Sequence, residues 1–211
     1  MVSTSLVLIL LAAAGGIPVN HGQQAIAPLV TDGPTVPSHT YAKGEVEYYM
    51  SDEQKEYIRP GLTTEIVSIE IPADRKPVVE VTFIDDMGLP LDRAGALTPG
   101  PISASFVLAW WDNEVRQYTS YTTRTQTSPI TGVSAVQASA DSNGSWEDLE
   151  IGRARYTFRT ELPDGFDASK THTVYAYTRR NTIEMVDKEY FSDPTLDFRP
   201  DGGEVTETWG S

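Results

Sequence analysis

Cysteine is absent from all 211 residues. That excludes disulfides, thiol catalysis and Cys-ligated zinc or iron–sulfur centres in this chain. It also excludes covalent c-type haem, whose vinyl groups need the two thiols of C-x-x-C-H. Histidine is nearly as scarce, with only His21, His39 and His172. No H-E-x-x-H or H-x-H spacing brings them together for metal binding or base catalysis. Basic residues are few: 16 Lys and Arg against 30 Asp and Glu give a formal net charge of −14. Nucleic-acid binding draws on lysine and arginine to release phosphate counterions, so this balance opposes it, and the acidity reads as solubility. No apolar run reaches the roughly 20 residues of a membrane-spanning helix.

What is present begins with Leu6–Ala14 (LVLILLAAA), followed by Gly15-Gly16, with no charged residue before Asp32. Its length and flanks predict a signal peptide over 1–22, with Ala12 and Ala14 as an A-x-A-like cleavage signal. Without a lipobox cysteine, no lipid anchor is expected at this end. Pro18, Pro28, Pro34 and Pro37 mark the next stretch as extended, and 23–44 reads as a linker. Ser51, with Gln54 three residues on and Asp52-Glu53 between, is a capping box that predicts one short helix over 52–58. Arg59-Pro60-Gly61 ends it.

From Thr63 the apolar period falls to two. Strands are predicted at 63–71, 78–84, 102–111, 115–121, 133–138, 145–149, 154–161, 171–179 and 195–198, with a further short one near 204–209. Residues 122–131 are rich in hydroxyls without apolar periodicity and read as a loop or an edge. Gly 16 and Pro 14 supply the turns. The expectation is an all-β fold: an antiparallel Greek-key sandwich or split β-barrel over 45–205, with one short N-terminal helix.

Candidate chemistry is thin. No G-x-S-x-G elbow, P-loop or G-x-G-x-x-G occurs. Asp85-Asp86 and Glu147-Asp148 are adjacent pairs, expected on solvated turns and edges; neighbours on a strand face opposite ways. His172 reads as a strand residue. Asp141-Ser142-Asn143-Gly144 and Asp164-Gly165-Phe166-Asp167 read as turns, with calcium as the competing expectation, although EF-hand spacing is missing. Trp110, Trp111, Tyr118 and Tyr121 predict a core hairpin; if exposed, they would favour a cell-surface carbohydrate-binding or adhesion module. The residues present predict no enzyme and no catalytic, cofactor-binding or metal site.

An ordered set of segments adds to this: Tyr57-Ile58-Arg59-Pro60-Gly61-Leu62, Gly88 to Arg93 (GLPLDR), Leu97-Thr98-Pro99-Gly100, Tyr118 to Val133 (YTSYTTRTQTSPITGV), Tyr156-Thr157-Phe158, Leu162 to Ala168 (LPDGFDA), Thr171 to Val174 (THTV) and Phe198 to Gly202 (FRPDG). Over about 45–205 the chain resembles the N-terminal, haem-free β domain of the OmcA/MtrC family of outer-membrane decahaem c-type cytochromes. The resemblance implies a split β-barrel of extended Greek-key type, on the extracellular side of the outer membrane, in a protein that passes electrons to extracellular acceptors. It implies a structural or docking role, with the haem-binding domains of the same full-length protein and porin-cytochrome components as partners. C-type haem is expected only in a downstream region, into which 206–211 would be a truncated lead.

Overall fold

The computed structural model describes residues 39–205. The expected signal peptide, most of the expected linker and the 206–211 lead lie outside the described residues, as does most of the strand expected near 204–209. The described residues belong to one unit, Val36–Ser211.

A strap over residues 39–50 contains a 3-10 turn, Val46–Tyr49, and leads into helix α1, Asp52–Ile58. The capping box forms as expected. The Ser51 hydroxyl accepts from the Gln54 amide and the Gln54 side chain accepts from the Ser51 amide. Arg59 adopts a left-handed conformation (φ 53°), and its N–H donates to the Lys55 carbonyl.

The strands follow in order: β1 (Thr63–Glu70), β2 (Val78–Ile84), β3 (Ile102–Asp112), β4 (Gln117–Ser120), β5 (Thr123–Thr127), β6 (Ser134–Ala138), β7 (Ser145–Glu150), β8 (Arg153–Thr157) and β9 (His172–Asn181). A one-turn helix α2 (Ile183–Val186) precedes β10 (Glu189–Ser192) and β11 (Thr195–Phe198). One antiparallel sheet runs β1-β2-β8-β7 and a second runs β10-β9-β3-β4. β10 and β11 share the other edge of β9, pairing with residues 178–181 and 172–175 respectively. Neither sheet closes on itself, so the architecture is an open all-β sandwich rather than a closed barrel. Its inner faces meet through Val79, Val81, Phe83, Tyr156 and Phe158 on one side and Ile102, Phe106, Leu108, Val174 and Ala176 on the other. Phe106 stacks on Tyr156 at 4.6 Å between ring centroids. Each of the larger aliphatic and phenylalanine side chains among them contributes about 1.5–3 kcal/mol through area removed from water. The sheets are also joined at a corner, where the Thr64 hydroxyl lies 2.8 Å from that of Thr178.

Three features depart from the sequence reading. Residues 123–138 form a separate two-stranded arm, β5–β6, whose ten strand residues are all exposed; with no apolar alternation, β5 gave no strand signal. β9 continues to Asn181, and α2 and β10 follow it. The charged Arg179-Arg180-Asn181 sequence resembles a turn, but the period-two pattern runs through it: His172, Val174, Ala176, Thr178 and Arg180 are all buried.

Candidate functional site

Period two places a guanidinium inside the sandwich. Arg180 is fully buried and has no carboxylate among its hydrogen-bond partners. Its Nε donates to the Pro99 carbonyl (3.1 Å), its Nη1 to those of Arg59 (2.5 Å) and Gly61 (2.9 Å), and its Nη2 to those of Ile58 (2.6 Å) and Pro99 (2.6 Å). The carbonyls at the end of α1 lack intrahelical donors, so the five-donor fork of arginine satisfies them and favours the negative end of the helix dipole. Burial pushes the Arg180 guanidinium down to about 10, which leaves it charged at neutral pH.

Two carboxylates flank this hub. Glu47, buried in the strap, accepts through Oε1 from Lys188 Nζ (2.5 Å) and the Tyr190 hydroxyl (2.6 Å). Burial pushes its carboxyl up, but those hydrogen bonds outweigh burial and hold it below the ordinary value. Asp85 accepts from Arg59 Nε (2.8 Å) and from the amides of Met87 (2.9 Å) and Leu89 (2.8 Å). Asp85 is therefore a buried anchor, which corrects the expectation that the Asp85-Asp86 turn is solvated. The amide ladder it caps is local, and burial by α1 and Arg59 came from chain segments far from it in sequence. Glu147 and Asp148 do lie on an exposed strand and face different arginines, Arg155 and Arg93.

A second knot forms around Asp141, which bridges to Phe106 of β3. Both oxygens of buried Asp141 are taken, Oδ1 by the Tyr156 hydroxyl and Oδ2 by the Thr160 amide (2.8 Å) and hydroxyl (2.6 Å). Tyr156 in turn accepts from the Gly144 amide at 2.7 Å. A Cβ at Gly144 would lie 2.1 Å from the Thr157 carbonyl oxygen, so the loop approaches β8 too closely for any side chain. With its oxygens committed to neutral donors, Asp141 has none turned toward a cation. In the other oxygen-rich loop, Asp167 accepts from the Ser169 amide and hydroxyl. Among the described residues no group of three His, Cys, Asp or Glu is placed to hold a metal.

His172 is the strand residue the alternation implies. It is wholly buried, and its ring stacks on Tyr121, whose hydroxyl lies 2.7 Å from Nε2. Phe166 and Phe198 close over it. Burial pushes the imidazole pKa down. In the aromatic hairpin Trp111 is buried against Tyr118, and Trp110 lies under the Lys170 ammonium, 3.9 Å from the ring centroid. Trp110, Tyr118 and Tyr121 are half-buried, so the hairpin does not present a row of bare rings. Sequence reasoning missed Arg180, Glu47 and Asp141 as organising groups. For Arg180 the signal was there, two steps further along the β9 alternation; for the other two there was none, because their partners are remote or their motif is ordinary turn chemistry.

No protein-family model and no curated protein matches the chain. Solved structures do. The outer membrane decaheme cytochrome OmcA is similar at a TM-score of 0.51 and 15% identity, over 70% of this chain and 24% of that chain. MtrC from Shewanella baltica OS185 gives a TM-score of 0.46 and 17% identity, over 70% of this chain and 23% of that one. The matched region is thus about a quarter of those cytochromes. What the chain shares with OmcA is a fold: it carries an OmcA-like β domain.

Proposed function

We propose that the chain is a non-catalytic, haem-free structural and docking domain of an extracellular multihaem cytochrome, exported to the outer face of the outer membrane. The observation that supports this most is the fold shared with part of OmcA, in a chain whose ordered sequence segments resemble the same family. On this reading 1–22 is a signal peptide, 23–44 a linker, 45–205 the working domain and 206–211 the lead toward haem-bearing sequence. The domain's contribution is mechanical. A sandwich tied internally by Arg180, Glu47 and Asp141 is a rigid body that can space and shield a haem chain. Its partners are the haem-binding domains of the same full-length protein and, beyond them, porin-cytochrome components of the outer membrane.

The transcript that encodes the chain tests this directly. C-x-x-C-H codons are expected beyond the Ser211 codon in the same frame, and the purified chain is expected to show no Soret band. A long downstream frame without such codons, or a Soret band that travels with the purified chain, overturns the reading.

A further inference from the structure

The strap, α1 and the Asp85–Leu89 turn enclose a cavity of about 760 Å³ that opens to solvent. That size lies within the range of small-molecule sites, which are apolar with a few placed polar groups. Here the apolar walls are the rings of His39, Tyr41 and Tyr48, with Met87, Leu89 and Pro60. His39 and Tyr41 meet edge to face at 4.7 Å. Ring edges and faces together with a thioether favour contact with an aromatic ring over an alkyl chain.

The polar groups divide into committed and uncommitted. Tyr41 donates its hydroxyl to Asp86 (3.1 Å), so it offers the cavity its ring. The Asp85 oxygens are held by Arg59 and two amides, as above. Two cationic groups remain. Lys55 has one ion contact, 3.8 Å from the fully exposed Asp52, a geometry worth little in water. Arg59 spends Nε on Asp85, while its Nη2 is enclosed without any hydrogen-bond partner. A buried donor left unpaired in a native fold calls for a water, an ion or a ligand. Glu56 also lines the cavity, and its charge disfavours ligands with more than one negative group.

We infer that this cavity is a binding site for a small aromatic monocarboxylate, with the ring held among His39, Tyr41, Tyr48 and Met87 and the acid group drawn to Lys55 and Arg59. The inference uses only residues 39–89 and stands independently of the cytochrome reading.

Isothermal calorimetry on the purified full chain tests it with four probes. Indole-3-acetate and 4-hydroxybenzoate are aromatic acids, acetate is an acid without a ring, and indole is a ring without an acid. Saturable binding is expected for at least one aromatic acid, with acetate and indole each at least about tenfold weaker, the scale of losing one charge-assisted contact or the ring burial. Lys55→Gln, at a half-buried helix position whose one ion contact is weak, is expected to weaken that binding about tenfold with an unchanged melting temperature. Met87→Trp is expected to abolish it by filling the cavity. Absence of saturable heat from both aromatic acids, indole binding as tightly as indole-3-acetate, or full affinity in Lys55→Gln overturns the assignment.

Discussion

Truncating Arg180 would strand the carbonyls of Ile58, Arg59, Gly61 and Pro99 in the interior together. Each unpaired buried acceptor costs about 1–3 kcal/mol, so Arg180→Met is expected to lower the unfolding free energy by about 3 kcal/mol or more. Arg180→Lys should recover only part, because three donors on a point cannot replace a planar fork. Urea denaturation of the three proteins measures this. Tyr156→Phe removes the donor to Asp141 Oδ1 and the acceptor for the Gly144 amide, with an expected loss of about 1–3 kcal/mol in the same assay. His172 governs a different variable. Burial lowers its folded pKa below the unfolded value of about 6.5, so the unfolded chain binds the proton first. Its contribution is complete above about pH 6.5 and is lost as pH falls through the folded pKa. The carboxylates of Asp141 and Glu47, both held below their ordinary values, lose their contribution only near and below about pH 4. Thermal melts should therefore show a decline beginning below about pH 6.5 that His172→Gln flattens, while a steeper acid limb near pH 4 persists.

Among the elements, α1 and the β5–β6 arm are opposites in how they are held. The helix has seven residues, too few to persist alone, and depends on its capping box and on Arg180. Ser51→Ala is expected to cost about 1 kcal/mol, and amide exchange at Gln54 should quicken accordingly. The arm has no core of its own: Ile130, Val133 and Val136 are 92%, 67% and 70% exposed. Two strands without a covered face are marginal in water, so its amides should exchange fastest of all the strands. Amide exchange followed by mass spectrometry ranks them, and an arm as protected as β9 would contradict this. The same contrast explains what the sequence reveals. The β2 and β3 boundaries, and β11, follow from alternation and turn residues, and α1 from its cap. Of the arm, β6 is expected at 133–138 but β5 is not, because its exposed Thr, Arg and Gln residues leave no apolar period. The β9–α2–β10 passage is obscured because a charged pair sits where one member turns inward. The rigid polar knots are less legible still, since Glu47 meets Lys188 and Tyr190 more than 140 residues away.

At the scale of the whole molecule, the sandwich guards its β7 edge with charge. β7 ends the first sheet and carries Glu147, Asp148 and Glu150, each facing an arginine; such an edge resists pairing with another sheet. The Asp141 oxygens are held by Tyr156 and Thr160, and among the described residues no group of three His, Cys, Asp or Glu is placed to hold a metal, so millimolar calcium or a chelator should leave the melting temperature unmoved. A rise on adding calcium would contradict this.

β3 and β9 form the spine of the second sheet, and Phe106 pairs with Ala176, 70 positions downstream. During synthesis at about 5–20 residues per second, the apolar face of β3 waits roughly 4–14 s for its neighbour to emerge. A nascent chain paused before residue 172 would hold Phe106 and Leu108 open to water. That interval is when a holdase chaperone has its best opportunity to bind, and when aggregation has its own.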